Sequence, residues 1–115
     1  MTSGLSSAGA ATRLVDVCAV GDLPDGEVAV VEDPDAGRVA VFAVDGGYFG
    51  IQDECSHMQA WLSDGFLEGC AVECPLHASV FDLRTGVPQG PPARTPLATY
   101  AASVQGDRVV VALPA

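Results

Sequence analysis

The chain contains no lysine. Its five basic residues are all arginine and stand against fifteen Asp and Glu, a formal net charge of −10 over 115 residues. Such an acid surplus disfavours nucleic acid and anionic membrane, whose phosphates repel it, and favours a basic docking partner; it serves solubility as well. Long apolar runs are missing too. The longest, residues 39–44, is six residues, far short of the roughly 20 a membrane-spanning helix needs. Residues 1–12 have no basic start and no apolar stretch of export-signal length. No helical period lasts beyond a turn or two, and no repeat occurs at solenoid spacing. Neither a nicotinamide fingerprint nor a substrate-sized motif is present, so the chain does not read as an enzyme. The expectation is a soluble, cytoplasmic monomer.

Histidine and cysteine are scarce and concentrated. Both histidines and two of the four cysteines fall in two short cassettes, Cys55-Ser56-His57 and, after sixteen intervening residues, Cys74-Pro75-Leu76-His77. Each cassette offers one soft thiolate and one imidazole. Two Cys and two His suit tetrahedral zinc or an iron–sulfur centre, and ligand count alone does not decide between them. Structural zinc sites usually pair like ligands, whereas each cassette here mixes them. The mixture suits a [2Fe–2S] core, in which each iron has two bridging sulfides and needs two protein ligands. With Cys55 and Cys74 on one iron and His57 and His77 on the other, the irons become unequal and the accepted electron sits on the imidazole side. That ligation is of the Rieske type, with a potential above that of all-cysteine ferredoxins.

The flanking residues narrow the resemblance. Asp53-Glu54-Cys55-Ser56-His57, Leu62-Ser63-Asp64-Gly65-Phe66-Leu67-Glu68-Gly69, Val72-Glu73-Cys74-Pro75-Leu76-His77 and Gly90-Pro91-Pro92-Ala93 resemble the small Rieske ferredoxins of bacterial aromatic-ring-hydroxylating dioxygenases, those of phenylpropionate and biphenyl dioxygenases in particular. The likeness runs from about Arg13 to Leu113. It implies a chain that carries single electrons from a flavin-dependent, NADH-oxidising ferredoxin reductase to a terminal oxygenase. It also implies that Gly90-Pro91-Pro92 forms a proline loop covering the cluster. One departure is visible: Met58 stands where the family commonly has glycine, so the first loop is free to differ in detail. High-potential members carry a serine two residues after the second histidine and a tyrosine four after it. Here those places hold Ser79 and Phe81, which implies a potential low in the Rieske range.

The fold class expected is all-β. Apolar-rich or alternating runs predict strands over residues 12–19, 27–32, 38–44, 48–52, 70–73, 80–83, 97–104 and 108–113. Asp45-Gly46-Gly47 and Gly106-Asp107 carry hairpin chemistry, and Gly21 to Gly26 is a loop signal. Residues 60–63 lack alternation and read as a helical turn or irregular. Residues 1–11, rich in Ser, Gly and Ala, read as a frayed tail, and 12–115 as one domain. In it a β base built from both chain ends carries an inserted two-loop cluster subdomain at about 53–82, as the Rieske resemblance also implies. Cys18 and Cys70 read as small buried hydrophobes in a reducing compartment, not as a disulfide pair. Trp61 reads as a core or subdomain-interface residue, with a docking aromatic as the alternative, and Asp82 with Arg84 reads as a local ion pair. Three rivals compete with the ferredoxin: a Rieske small subunit of another system such as nitrite reductase, a zinc-bound β interaction module, and a Cys–His nucleophilic dyad, for which no oxyanion or acid partner is evident.

Overall fold

Nine strands follow one another in the residues this computed structural model describes, which are 11–56, 59–76, 79–90, 93 and 95–115. They are β1 (Thr12–Ala19), β2 (Val28–Asp33), β3 (Gly37–Val44), β4 (Gly47–Gln52), β5 (Phe66–Glu68), β6 (Ala71–Glu73), β7 (Val80–Asp82), β8 (Thr99–Gln105) and β9 (Arg108–Pro114). Single turns of 3₁₀ helix at Val20–Asp22 and Leu62–Asp64 are the helical elements among the described residues, and none is long and apolar enough to cross a membrane. All ladders are antiparallel. Six strands form a base sheet in the order β1-β9-β8-β4-β3-β2, and β5-β6-β7 form a small second sheet. The chain is therefore all-β, as its turn chemistry predicts. The base takes strands from both ends of the sequence.

The hairpins form where the turn residues demand them. Between β3 and β4, Asp45 and Gly46 both have positive φ (50° and 82°), the two-residue turn whose twist matches the flanking strands. Between β2 and β3 the carboxylate of Asp33 accepts the N–H groups of Asp35 at 3.0 Å and Ala36 at 2.9 Å, fixing the turn from its first residue.

The six-residue apolar run is the middle of β3, and it is unbroken because both faces of that strand are covered. Side chains alternate along a strand. Val39, Val41 and Ala43 point into one cluster with Leu23, Val109, Val111 and Leu113 inside the base. Ala40 and Phe42 point the other way, into a second cluster with Ile51, Leu62, Val72, Phe81, Leu83 and Leu97 beneath the small sheet. A two-sided strand of this kind loses the polar half of its alternation.

Two departures from the sequence reading have local causes. Strand β5 was not expected; three residues carry no readable period, and the segment is extended because it pairs with β6, Phe66 opposite Glu73. The closing hairpin begins at Thr99 and not at Leu97, whose N–H is taken by Gly86 O at 2.8 Å. Residues 1–10 lie outside the described residues.

The edge strands β1 and β2 are tied by an ion pair between Arg13 and Asp33. The Arg13 hydrogen bond, aided by the Ala36 N–H, holds the Asp33 carboxyl below the usual carboxylate range. A depressed folded-state pKa gives stability that is present above about pH 4 and is lost as pH falls below it. Replacing Asp33 by Asn should therefore lower Tm at neutral pH and flatten its decline on acidification below pH ~4. An acid limb as steep as that of the unaltered protein would show that the tie contributes nothing there.

Candidate metal centre

Both cassette cysteines sit at the necks of loops built alike. The Cys55 N–H donates to Ala60 O at 2.9 Å, and the Cys74 N–H donates to Ser79 O at 2.7 Å. In each case the bond closes on the carbonyl five residues ahead. The first neck is reinforced by a β-bridge between Glu54 and Trp61 and by the Leu62 N–H on Asp53 O at 2.7 Å. The second is the open end of the β6–β7 pair, where Glu73 faces Val80. His57 and His77 fall in sequence between the cysteine and the closing carbonyl of their loops. They lie outside the described residues, with Met58, Ala78, Pro91, Pro92 and Arg94.

The two necks are neighbours because the exit of the first loop runs into the strand that enters the second. Gly65 packs so closely there that a Cβ would stand 2.0 Å from Glu73 O, one residue before Cys74. Cys55 and Cys74 are 5% and 1% exposed and share one apolar cluster with Leu62, Val72, Phe81 and Leu97. Thiolates placed there are shielded from water, the setting a hydrolysable metal–sulfur group requires.

A strap of chain fastens both loops from outside. Pro88 bridges to Phe81, the Gln89 N–H donates to Val80 O at 2.7 Å, and the Ala93 N–H donates to Ser79 Oγ at 3.3 Å, all on the second loop's side. On the first loop's side the Ser56 hydroxyl donates to Thr95 O at 2.6 Å. Ser79 is fully buried. Having accepted from Ala93, its hydroxyl keeps its own hydrogen to donate.

Below the first neck lies a residue whose role the spacing did not reveal. Asp53 has no solvent exposure, and its Oδ2 accepts from Arg38 Nε at 2.6 Å and from Ser63 Oγ at 2.8 Å, while Oδ1 accepts from the Ser63 N–H at 2.7 Å. The Asp53 hydrogen bond holds Arg38 protonated more firmly than usual. The Arg38 guanidinium, on β3, stacks over the Trp61 ring at 4.6 Å. Of the readings of Trp61 the core one fails, since 41% of it is exposed; it joins loop to base through Arg38 as the interface reading expects. No sequence signal links Arg38 to Asp53, fifteen residues apart.

Two smaller expectations come out differently. The Asp82 carboxylate accepts the backbone N–H of Arg84 at 2.7 Å in a tight turn, with no ion pair between the side chains among the described contacts. Cys18 and Cys70 form no disulfide but are half-buried, not fully buried, and burial pushes both thiols above their ordinary pKa.

A β base carrying a small sheet with two matched, thiol-bearing loops defines a loop-borne metal-centre protein of the β class. The chain belongs to the Rieske [2Fe–2S] domain family, whose model matches residues 13–101. It is 43% identical over 98 residues to the 3-phenylpropionate/cinnamic acid dioxygenase ferredoxin subunit of Escherichia coli (strain K12), covering 84% of this chain and 91% of that one. It superposes with a TM-score of 0.81, at 34% identity over 86% of this chain and 92% of the other, on a chain in the complex of reduced oxygenase and oxidised ferredoxin of carbazole 1,9a-dioxygenase. A protein of Mycobacterium tuberculosis assigned as the small subunit of an NADH-dependent nitrite reductase gives the same TM-score of 0.81 at 25% identity, covering 91% of this chain and 98% of that one.

The donor set fits the family's [2Fe–2S] group: two buried thiols, at the necks of adjacent loops, in one water-excluding cluster. Because those loops meet at Gly65, Gly65→Ala should force them apart. Overpacking against backbone predicts a loss of about 1–3 kcal/mol in chemical denaturation, with faster bleaching of the holoprotein. Unchanged stability and colour would show that the contact does not hold the loops together.

Proposed function

We propose that this chain is a one-electron carrier in which Cys55 and Cys74 hold one iron and His57 and His77 the other, within a single domain over residues 12–115. It would take electrons from a flavin-dependent, NADH-oxidising reductase and deliver them to the terminal oxygenase of an aromatic-ring dioxygenase, working as a cytoplasmic monomer. The observation that carries this is the burial of Cys55 and Cys74 at the necks of two matched loops that share one apolar cluster. The curated ferredoxin relative, more similar in sequence than the nitrite reductase subunit, supports the oxygenase reading over that rival. Cys18 and Cys70, without a disulfide, suit a reducing compartment.

When bound, the [2Fe–2S] group supplies a one-electron change in which no bond to substrate is made. The chain's residues do the rest. Leu62, Phe81 and Leu97 keep water from the thiolates. Ser79 offers its hydroxyl hydrogen, the bond accepted from Ala93 making it a better donor. Phe81, fully buried, offers no hydrogen there.

Anaerobically purified protein should contain iron and inorganic sulfide in equal amounts and gain an electron-spin-resonance signal on uptake of one electron per chain. Ser at Cys55 or Cys74, or Ala at His57 or His77, should abolish it. Colourless protein holding one zinc, or four dispensable side chains, would sink the proposal. Addition of a reductase and an oxygenase from an aromatic dioxygenase then separates this carrier from a nitrite reductase subunit.

A hydroxyl at the Phe81 position would stabilise the extra negative charge of the reduced centre. Phe81→Tyr should raise the midpoint potential. No rise, with the centre intact and the new hydroxyl placed near sulfur, would refute this account of the tuning.

A further inference from the structure

We infer that Asp53 and Arg38 are positioning residues of the electron-transfer centre. Their ion pair clamps the neck of the Cys55 loop to the base sheet, and its charge balance sets how readily the centre accepts an electron. The inference rests on the Rieske ligation proposed above.

The clamp is visible in what Asp53 holds. A carboxylate without access to water needs donors on its oxygens, and the three present come from two places, Arg38 on β3 and Ser63 in the 3₁₀ turn beyond the loop. The backbone of Asp53 repeats the pattern, its N–H on Arg38 O at 2.8 Å and its carbonyl on the Leu62 N–H at 2.7 Å. One residue thus joins the base, the leg that enters the loop and the leg that leaves it. Arg38 is fixed in turn by stacking on Trp61, whose backbone bridges to Glu54, next to Cys55. Without the side-chain pair the Cys55 neck would keep its backbone hydrogen bonds, including that of Asp53 on Arg38 O, but lose the side-chain tie between Ser63, beyond the loop, and β3.

Proximity gives the pair a second consequence. Only Glu54 stands between Asp53 and Cys55 in the chain, so their Cα atoms lie within about 7 Å. Exposed charges are screened over a Debye length of about 8 Å at physiological ionic strength, and a buried charge such as that of Asp53 is screened less. The pair is neutral as a whole. Removing the carboxylate leaves the guanidinium with only the exposed Glu32 carboxylate, 3.5 Å away, against it, and so shifts the local balance toward positive beside a centre that gains negative charge on reduction, which favours the electron. Removing the guanidinium leaves the carboxylate, which opposes it. A purely structural role would not give shifts of opposite sign.

The test is a redox titration of anaerobic holoprotein at fixed pH and salt, with the rate of bleaching under a chelator measured alongside. Asp53→Asn should raise the midpoint and Arg38→Gln should lower it. The double variant should fall between them, near the unaltered protein, and all three should bleach several-fold faster. Arg38→Lys, which keeps the charge, should restore the midpoint. Single variants that shift in the same direction, or not at all, with the centre intact would overturn the inference. If either single variant cannot retain the centre, Ser63→Ala decides: it leaves both charges and removes one donor, so faster bleaching supports the clamp and unchanged bleaching overturns it. Lack of a Rieske-type signal in the unaltered protein would instead refute the proposed function.

Discussion

Strand β3 is shared by both halves of the molecule, and the rest of the architecture hangs on its two-sided burial. Val39 and Val41 close the core of the base, while Ala40 and Phe42 form the floor on which the small sheet and the cysteine loops rest. Each fully buried side chain of this size contributes about 1.5–3 kcal/mol, so neither half has a core without this strand. Its hairpin partners β2 and β4 are placed by local turns, and β8 extends the sheet by pairing with β4 through Thr99–Ala101 and with β9 through Ala102–Gln105. Register follows. Slipping β3 by one residue would exchange its faces and present Phe42 to the base interior.

Much of this was legible in the sequence because the signals are local. The unbroken run at 39–44, the Asp-Gly turn at Asp45-Gly46 and the Gly106-Asp107 turn of the C-terminal hairpin each act over a few residues. The cassettes were legible for another reason: soft ligands are rare enough in this chain that their clustering needs a chemical cause. What escaped was set by tertiary contact. Phe66-Leu67-Glu68 becomes a strand only because β6 is already extended beside it. Asp53 looked like a motif residue with no assignable partner, since nothing in a one-dimensional pattern announces that Arg38 lies across from it.

The likeness of the two loops was hidden by their sequences. One cassette places its histidine two residues after cysteine and the other places it three after, which suggests loops of different shape. Yet both cysteine N–H groups close on the carbonyl five residues ahead. The necks are equal although the cassette spacings differ. A neck closed by backbone hydrogen bonds does not depend on which side chains its sequence supplies. Ala93 and Thr95 then give each loop one hydrogen-bond partner, Ala93 to the second loop and Thr95 to the first.

Charge completes this division of labour. Arg13, Arg38 and Arg108 pair with Asp33, Asp53 and Asp16, joining residues 20, 15 and 92 positions apart. Arg108 grips both oxygens of Asp16, through Nε at 2.8 Å and its terminal nitrogen at 2.6 Å, and Arg38 both bonds a carboxylate and stacks on a ring. A forked, planar cation can do these things and an ammonium cannot, which suits a chain that has arginine and no lysine. Each of these pairs is neutral, so the net charge of −10 lies wholly outside them. Among the described residues beside the cysteine loops, Glu54, Asp64 and Glu68 are exposed. The positive charge has gone largely into fastening the fold, and the surplus acid faces solvent, where it attracts a basic surface over a range that shortens as salt rises.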